Sequence, residues 1–258
     1  MKKIYSYILI TMLIFAVFAY STNAAAKEKV SVTINGNTFY IDNLLLTDGT
    51  TYVPLEPFRK ALGDDFSKNV IAYENYISCE GRFIHYQKPG FYIGKIFFVP
   101  VRAAAMLYGA EVTWIEAERT VYVSCHEPKI LTSDEVYDPD ELYWLSRIIS
   151  AESEGESLAG KLAVGSVILN RCESDDFPDT VYGVIFDREY AVQFTPTSNG
   201  RIYREPTAES VMAAKMCLEG YRTSNDILYF LHENISTNLW TAFNREYALT
   251  VGQHDFYS

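Results

Sequence analysis

Two kinds of hydrophobic pattern divide the chain. In the first half the apolar positions alternate over short stretches, as in Val30-Ser31-Val32-Thr33-Ile34 before Asn35-Gly36, which predicts one arm of a β-hairpin. The stretch Tyr52-Val53-Pro54-Leu55 returns 46 positions later as Phe98-Val99-Pro100-Val101. The same offset pairs Gly63 with Gly109, Asp65 with Glu111, and Tyr76-Ile77-Ser78-Cys79 with Tyr122-Val123-Ser124-Cys125. An offset held without a gap indicates two copies of one supersecondary unit. Each copy predicts an entry strand ending at Val-Pro, a short helix (Glu56 to Leu62; Arg102 to Tyr108), a glycine stop, and one or two further strands. Proline suits the strand-to-helix boundary because its fixed φ and missing N–H cost least there.

The second half has helical spacing. Asp138 to Asp140 can cap a helix through Leu142, Trp144, Leu145, Ile148 and Ile149. Its apolar stripe, Leu142–Leu145–Ile149, lands next on Glu152. Glu156, four residues on, shares that face if the helix continues. Ser157 can cap a second helix, Leu158 to Arg171, whose small residues (Ala159, Gly160, Ala163, Gly165, Ser166) allow close backbone approach. Between the halves, residues 127–138 are polar and punctuated by Pro128, the composition of a linker.

A carboxylate on an apolar stripe is costly to bury, and desolvation raises its pKa toward what a general acid needs at neutral pH. On spacing alone, a solvated acidic cluster at a helix end is the better explanation of Glu152-Ser153-Glu154-Gly155-Glu156. Residues 1–26 combine Lys2 and Lys3, an apolar run from Ile8 to Tyr20, and Ala24-Ala25-Ala26. These are the parts of a secretory signal peptide, so a protein working outside the cytoplasm is expected, touching membrane only through that segment. The 258 residues carry a formal charge of -11, with 33 acids against 22 Lys and Arg, which argues against a nucleic-acid partner. Cys79, Cys125, Cys172 and Cys217 are too widely spaced for a metal knuckle, and read as structural thiols or disulfides. His232-Glu233 begins like a zincin motif, but Ser236 stands where the second histidine belongs. No cofactor and no metal are expected.

Ordered motifs along the second half add to this reading. Ser150-Ala151-Glu152-Ser153-Glu154-Gly155-Glu156, Ala163 to Arg171, Phe177 to Ile185, Gln193-Phe194-Thr195-Pro196, Tyr229-Phe230, Trp240 and Gly252 to Tyr257 resemble the spore cortex-lytic (SleB/CwlJ-type) cell wall hydrolase family over residues 139–258. Residues 27–126, through Ser31 to Gly36 and the two Val-Pro-helix-Gly blocks, resemble the duplicated N-terminal stalk domain of copper amine oxidases. Together the resemblances imply an α+β protein: a small duplicated strand-helix-strand domain, then a mainly helical lysozyme-like catalytic domain. The implied reaction cuts peptidoglycan glycan strands between N-acetylmuramic acid and N-acetylglucosamine, with Glu152 as the catalytic acid. Glu156 belongs to the same motif and is expected to order the cleft. Gln193, Phe194, Tyr229, Trp240 and His254 are expected as substrate-binding walls, since aromatic faces stack on sugars while amide and imidazole groups orient them. Only one acid is marked, which fits a lytic transglycosylase giving 1,6-anhydromuramic ends. A hydrolytic muramidase would need a second carboxylate from Glu156, Asp175, Asp179, Asp187 or Glu189. A non-catalytic wall-binding scaffold is the alternative from another class. The N-terminal half reads either as a spacer holding a cell wall or spore-coat partner or as a plain structural spacer.

Overall fold

The computed structural model describes residues 30–39, 44–189, 192–232 and 240–258, so the signal-peptide reading over residues 1–26 lies outside the described residues. The described fold is α+β. The chain enters through β1 (Ser31–Ile34) and β2 (Asn37–Phe39), joined at Asn35-Gly36, where φ is 49° and 80°. Two successive positive φ values are what a tight hairpin turn requires, and Asn-Gly supplies them at least cost. Next come β3 (Leu45–Thr47), β4 (Thr50–Pro54), α1 (Leu55–Leu62), β5 (Ile71–Ala72), β6 (Tyr76–Cys79) and β7 (Arg82–His85). The second copy follows as β8 (Phe91–Ile93), β9 (Ile96–Pro100), α2 (Val101–Met106), β10 (Glu111–Ile115) and β11 (Thr120–Ser124).

Strands β4 and β9 pair antiparallel with Val53 opposite Val99, so each valine faces its own repeat counterpart. Strand β1 runs parallel to β11, Val32 beside Val121 and Ile34 beside Val123, which joins the start of the unit to its end. Helices α1 and α2 cover the apolar faces, and Val53, Phe58, Leu62, Val99, Ala104 and Leu107 form the centre of this core. Gly63 stops α1 at φ 89°, its N–H returning to Lys60 O.

Beyond α3 (Ser133–Val136), helix α4 (Pro139–Ser153) starts at Asp138, whose side chain accepts from the Asp140 and Glu141 amides. It packs on α5 (Leu158–Cys172) and α8 (Ala208–Leu218), with α6 (Val181–Phe186) and α7 (Thr195–Asn199) alongside. Gly165 lies where these helices meet. A Cβ there would approach Cys217 Sγ to 2.7 Å and Ile149 Cδ1 to 2.9 Å, so the small residue sets the helix separation. A three-stranded antiparallel sheet completes the half: β12 (Tyr229–His232), then α9 (Trp240–Asn244), β13 (Tyr247–Val251) and β14 (His254–Tyr257), in the order β12-β14-β13. All four cysteines are free thiols.

The halves meet through β7 and α8. Arg82, 2% exposed, donates from Nε and Nη2 to the two Glu219 oxygens at 2.6 and 2.8 Å. Tyr137 OH donates to the same carboxylate at 2.8 Å, and Lys215 Nζ donates to Gly81 O at 2.6 Å. Residues 127–138 run across this seam, with Ile130 buried in the N-terminal core and Tyr137 buried beside Glu219.

Candidate active site

A cleft of about 1050 Å³ lies between the C-terminal end of α4, the β12–β14 pair and the segment before α7. Its floor is built by the stripe of α4. Leu145, Ile148 and Ile149 are fully buried, and one turn later the same face carries Glu152 into the cleft. The Glu152 carboxylate makes no hydrogen bond or ion pair with protein among the described residues. Burial raises its pKa to about 7, the Arg201 guanidinium pulling the other way. A carboxyl group half protonated at neutral pH and open to a cleft can give a proton and take one back.

Helix α4 ends at Ser153, and the chain turns with Glu156 N donating to Ser153 O. The helix therefore stops short of Glu156, and the condition for a shared helical face is not met. Glu156 reaches across the cleft instead, accepting from Gln253 N at 3.4 Å and lying 3.6 Å from His254 Nδ1. Two glycines admit it. A Cβ on Gly160 would approach Glu156 Cβ to 2.8 Å, and one on Gly252 would overlap its carboxylate. Lys161, 2% exposed, donates to Glu154 O and Glu156 O and pairs with Glu209 at 2.9 Å, fixing the turn from below.

Of the sequence-predicted positions, Glu152, Glu156, Gln193, Phe194, Tyr229 and His254 line one cleft. Phe194 is 3% exposed and belongs to the helical core, so it edges the cleft rather than offering a broad face. His254 is buried between Phe230 and His232, and burial lowers its pKa, with Glu156 opposing that shift. Trp240 does not line the cleft. It sits 52% exposed on α9, where its neighbour Thr241 is the lining residue, because an isolated aromatic carries no directional information in sequence. Sequence reasoning passed over Arg171, Arg201, Phe230, His232 and Gln253, which also line it. Arg171 did have a signal: a charged residue in a helix of mostly apolar and small residues must find a polar exit.

The helical body and the small antiparallel sheet enclose a cleft with one unpartnered glutamate, Glu152, on its floor. Residues 155–257 match the family described as Cell Wall Hydrolase, and the C-terminal half of the chain belongs to it. A spore cortex-lytic enzyme from Bacillus cereus is 32% identical over 120 residues, 46% of this chain and 45% of that protein. Another from Oceanobacillus iheyensis is 32% identical over 46% of this chain and 42% of its own length. The chain thus spans about half the length of the curated relatives it matches. The catalytic domain of the germination-specific lytic transglycosylase SleB from Bacillus anthracis is 31% identical, covering 47% of this chain and 97% of that one at a TM-score of 0.43.

Proposed function

We propose that the protein is a wall-facing enzyme that cleaves peptidoglycan glycan strands between N-acetylmuramic acid and N-acetylglucosamine, as a lytic transglycosylase. The observation that carries this is Glu152: an unpartnered carboxyl group with a pKa near 7 in an open cleft, within a domain of a cell wall hydrolase family. Glu152 donates its proton to the glycosidic oxygen as the bond from muramic C1 breaks, and the N-acetylglucosamine leaves as an alcohol. The resulting Glu152 carboxylate takes the proton of the C6 hydroxyl while O6 closes on C1. The product is a 1,6-anhydromuramic end, no water is consumed, and Glu152 is restored to its acid form.

Two carboxylates are the usual requirement for glycoside hydrolysis. Glu156 is engaged by Gln253 N and His254, and Asp175, Asp179, Asp187 and Glu189 are absent from the cleft lining among the described residues. Glu154 also lines the cleft, but its side chain is largely exposed and lies 3.7 Å from Arg201. Glu152 is therefore the one lining acid that is both largely buried and without a protein partner among the described residues, which favours the single-acid route. The names of the matched relatives support spore cortex as the substrate and an extracellular location, which the signal segment reading shares. No residue of the N-terminal half lines the cleft among the described residues, which supports a spacer or partner-holding role for it.

The test is mass spectrometry of fragments released from purified peptidoglycan by the full mature chain, beside Glu152→Gln. Fragments one water lighter than reducing-end products, absent with the variant, are expected. Reducing ends would replace the transglycosylase reading with hydrolysis, and unchanged release by Glu152→Gln would remove Glu152 from the chemistry.

A further inference from the structure

The glycan backbone of peptidoglycan is uncharged, yet one wall of the cleft is cationic. Arg171, in the last turn of α5, is 5% exposed. Its Nε donates to Leu228 O at 2.7 Å and its Nη1 to Gln193 Oε1 at 3.3 Å. The guanidinium carbon lies 4.7, 5.3 and 5.3 Å from the ring centres of Phe177, Phe194 and Tyr229. Nη2 has no protein acceptor among the described residues. It is not sealed into the interior, and Arg171 lines the cleft. Arg245 also lies against Tyr229, 4.3 Å from its ring centre and 5.5 Å from that of Trp240; it is an exposed side chain that forms no ion pair among the described residues.

This is unusual for the molecule. Acids outnumber bases by 11, and the other buried arginines are held by carboxylates: Arg59 by Asp64 and Arg82 by Glu219. Burying a guanidinium without a counter-ion is expensive, and cation–π contacts with three rings return only part of that. Asp187 is the acid whose field reaches Arg171, and it is not bonded to it. Burial lowers the Arg171 pKa to about 10, which leaves the group charged at neutral pH. A cation kept at such cost, with a donor left free, is arranged for an anion that arrives with the substrate. The forked guanidinium suits a carboxylate, and Tyr229 holds a second cation beside it.

We propose that Arg171 and Arg245, both lying against Tyr229, form a carboxylate-binding subsite that reads the acidic substituent of a muramic acid residue in the bound glycan. The occupant is a carboxylate of the lactyl ether or of the peptide attached to it, the negatively charged groups of the unmodified polymer. The subsite is a specificity device and takes no part in proton transfer. It rests on the peptidoglycan reading above.

The experiment measures kcat/KM and pelleting of the full mature chain on three substrates: peptide-bearing glycan strands, strands stripped by an amidase to the free lactyl carboxylate, and strands neutralised by carbodiimide with ammonia. Wild type is expected to prefer acidic over neutralised strands by about tenfold, the effect of one charge-assisted hydrogen bond. Arg171→Gln and Arg245→Ala should lose that preference through a raised KM on acidic strands, slowing acidic strands more than neutralised ones. Arg171→Lys, which keeps the charge without the fork, should retain part of it. The stripped strands decide which carboxylate is read. Equal rates of wild type on acidic and neutralised strands would overturn the subsite. So would variants that slow on both alike, the result of a purely structural role. Arg245 is exposed, so its variant gives the answer even where Arg171→Gln fails to fold. If wild type cleaves none of the strands, the enzymatic reading fails separately, and pelleting on acidic against neutralised strands still decides the subsite.

Discussion

The Glu156 carboxylate occupies the space that a side chain on Gly252 would fill. Gly252 itself sits at φ 62°, a conformation that other residues adopt at a cost. One glycine thus provides both the turn between β13 and β14 and the seat of a carboxylate 97 residues away, counted to the neighbouring Gln253 amide it accepts from. Gly252→Ala is expected to cost about 2 kcal/mol from backbone strain and overpacking. The displaced Glu156 should loosen the turn below Glu152, lowering kcat at least tenfold in a protein whose circular dichroism is unchanged. Full activity in that variant would show that Glu156 has no hold on the cleft.

The pKa of Glu152 fixes the sign of two pH effects. As a general acid it must begin protonated, so kcat/KM should fall as pH rises through about 7. Its folded pKa is raised above the unfolded value of 4.5, so between these values the folded state binds more protons and stability falls as pH rises. Glu152→Gln removes that penalty. The variant should melt several degrees above wild type at pH 8, with the gap closing below pH 5, as read by scanning calorimetry. A melting difference independent of pH would mean that burial does not raise this pKa.

Lys161 holds the other side of the same turn, and its replacement separates positioning from chemistry. Lys161→Met keeps the stem but removes the donors to Glu154 O and Glu156 O, while its partner Glu209 is half exposed and hydrates easily. Stability should drop by about 1–3 kcal/mol. The kcat should fall more than KM rises, and the apparent pKa of the acid limb should shift toward the ordinary carboxylate range as water reaches Glu152. An unchanged pH profile would assign Lys161 to stability alone.

What could be read in the sequence was local or periodic. The stripe Leu142–Leu145–Ile149–Glu152 survives intact because side chains three and four apart share a helix face whatever lies opposite. The two Val-Pro stretches that suggested a 46-residue repeat lie side by side, Val53 facing Val99 on antiparallel strands. Glu156 could be placed on the Glu152 face only if the helix ran on, and the helix ends at Ser153. The partners that seat it, Gly252, Gln253 and His254, lie far along the chain, and no period connects them. Trp240 was drawn into the site by its place among the ordered motifs and by its aromatic face, neither of which says which way the side chain points. Arg171 was quoted within a motif yet given no role, since its meaning depends on three rings that arrive from elsewhere in the fold.

The joint between the halves yields the last prediction. Arg82 and Glu219 are 137 positions apart, each side chain 3% exposed, and the pair is bidentate. Burial alone would lower the Arg82 pKa, but the Glu219 carboxylate holds it above the usual value. Tyr137 is raised by burial and by the same carboxylate, so one acid serves both a cation and a hydroxyl. Glu219→Gln strands the guanidinium in the seam between β7 and α8, and a loss of about 3–5 kcal/mol is expected. Arg82→Met with Glu219→Leu removes both charges and should recover much of it, because well-packed apolar residues avoid the desolvation cost. If the halves are one cooperative unit, wild type shows a single calorimetric transition, and Glu219→Gln splits it or lowers it as a whole. Two independent transitions in wild type, with Glu219→Gln moving neither, would mean that the buried pair contributes nothing to holding the spacer on the catalytic half.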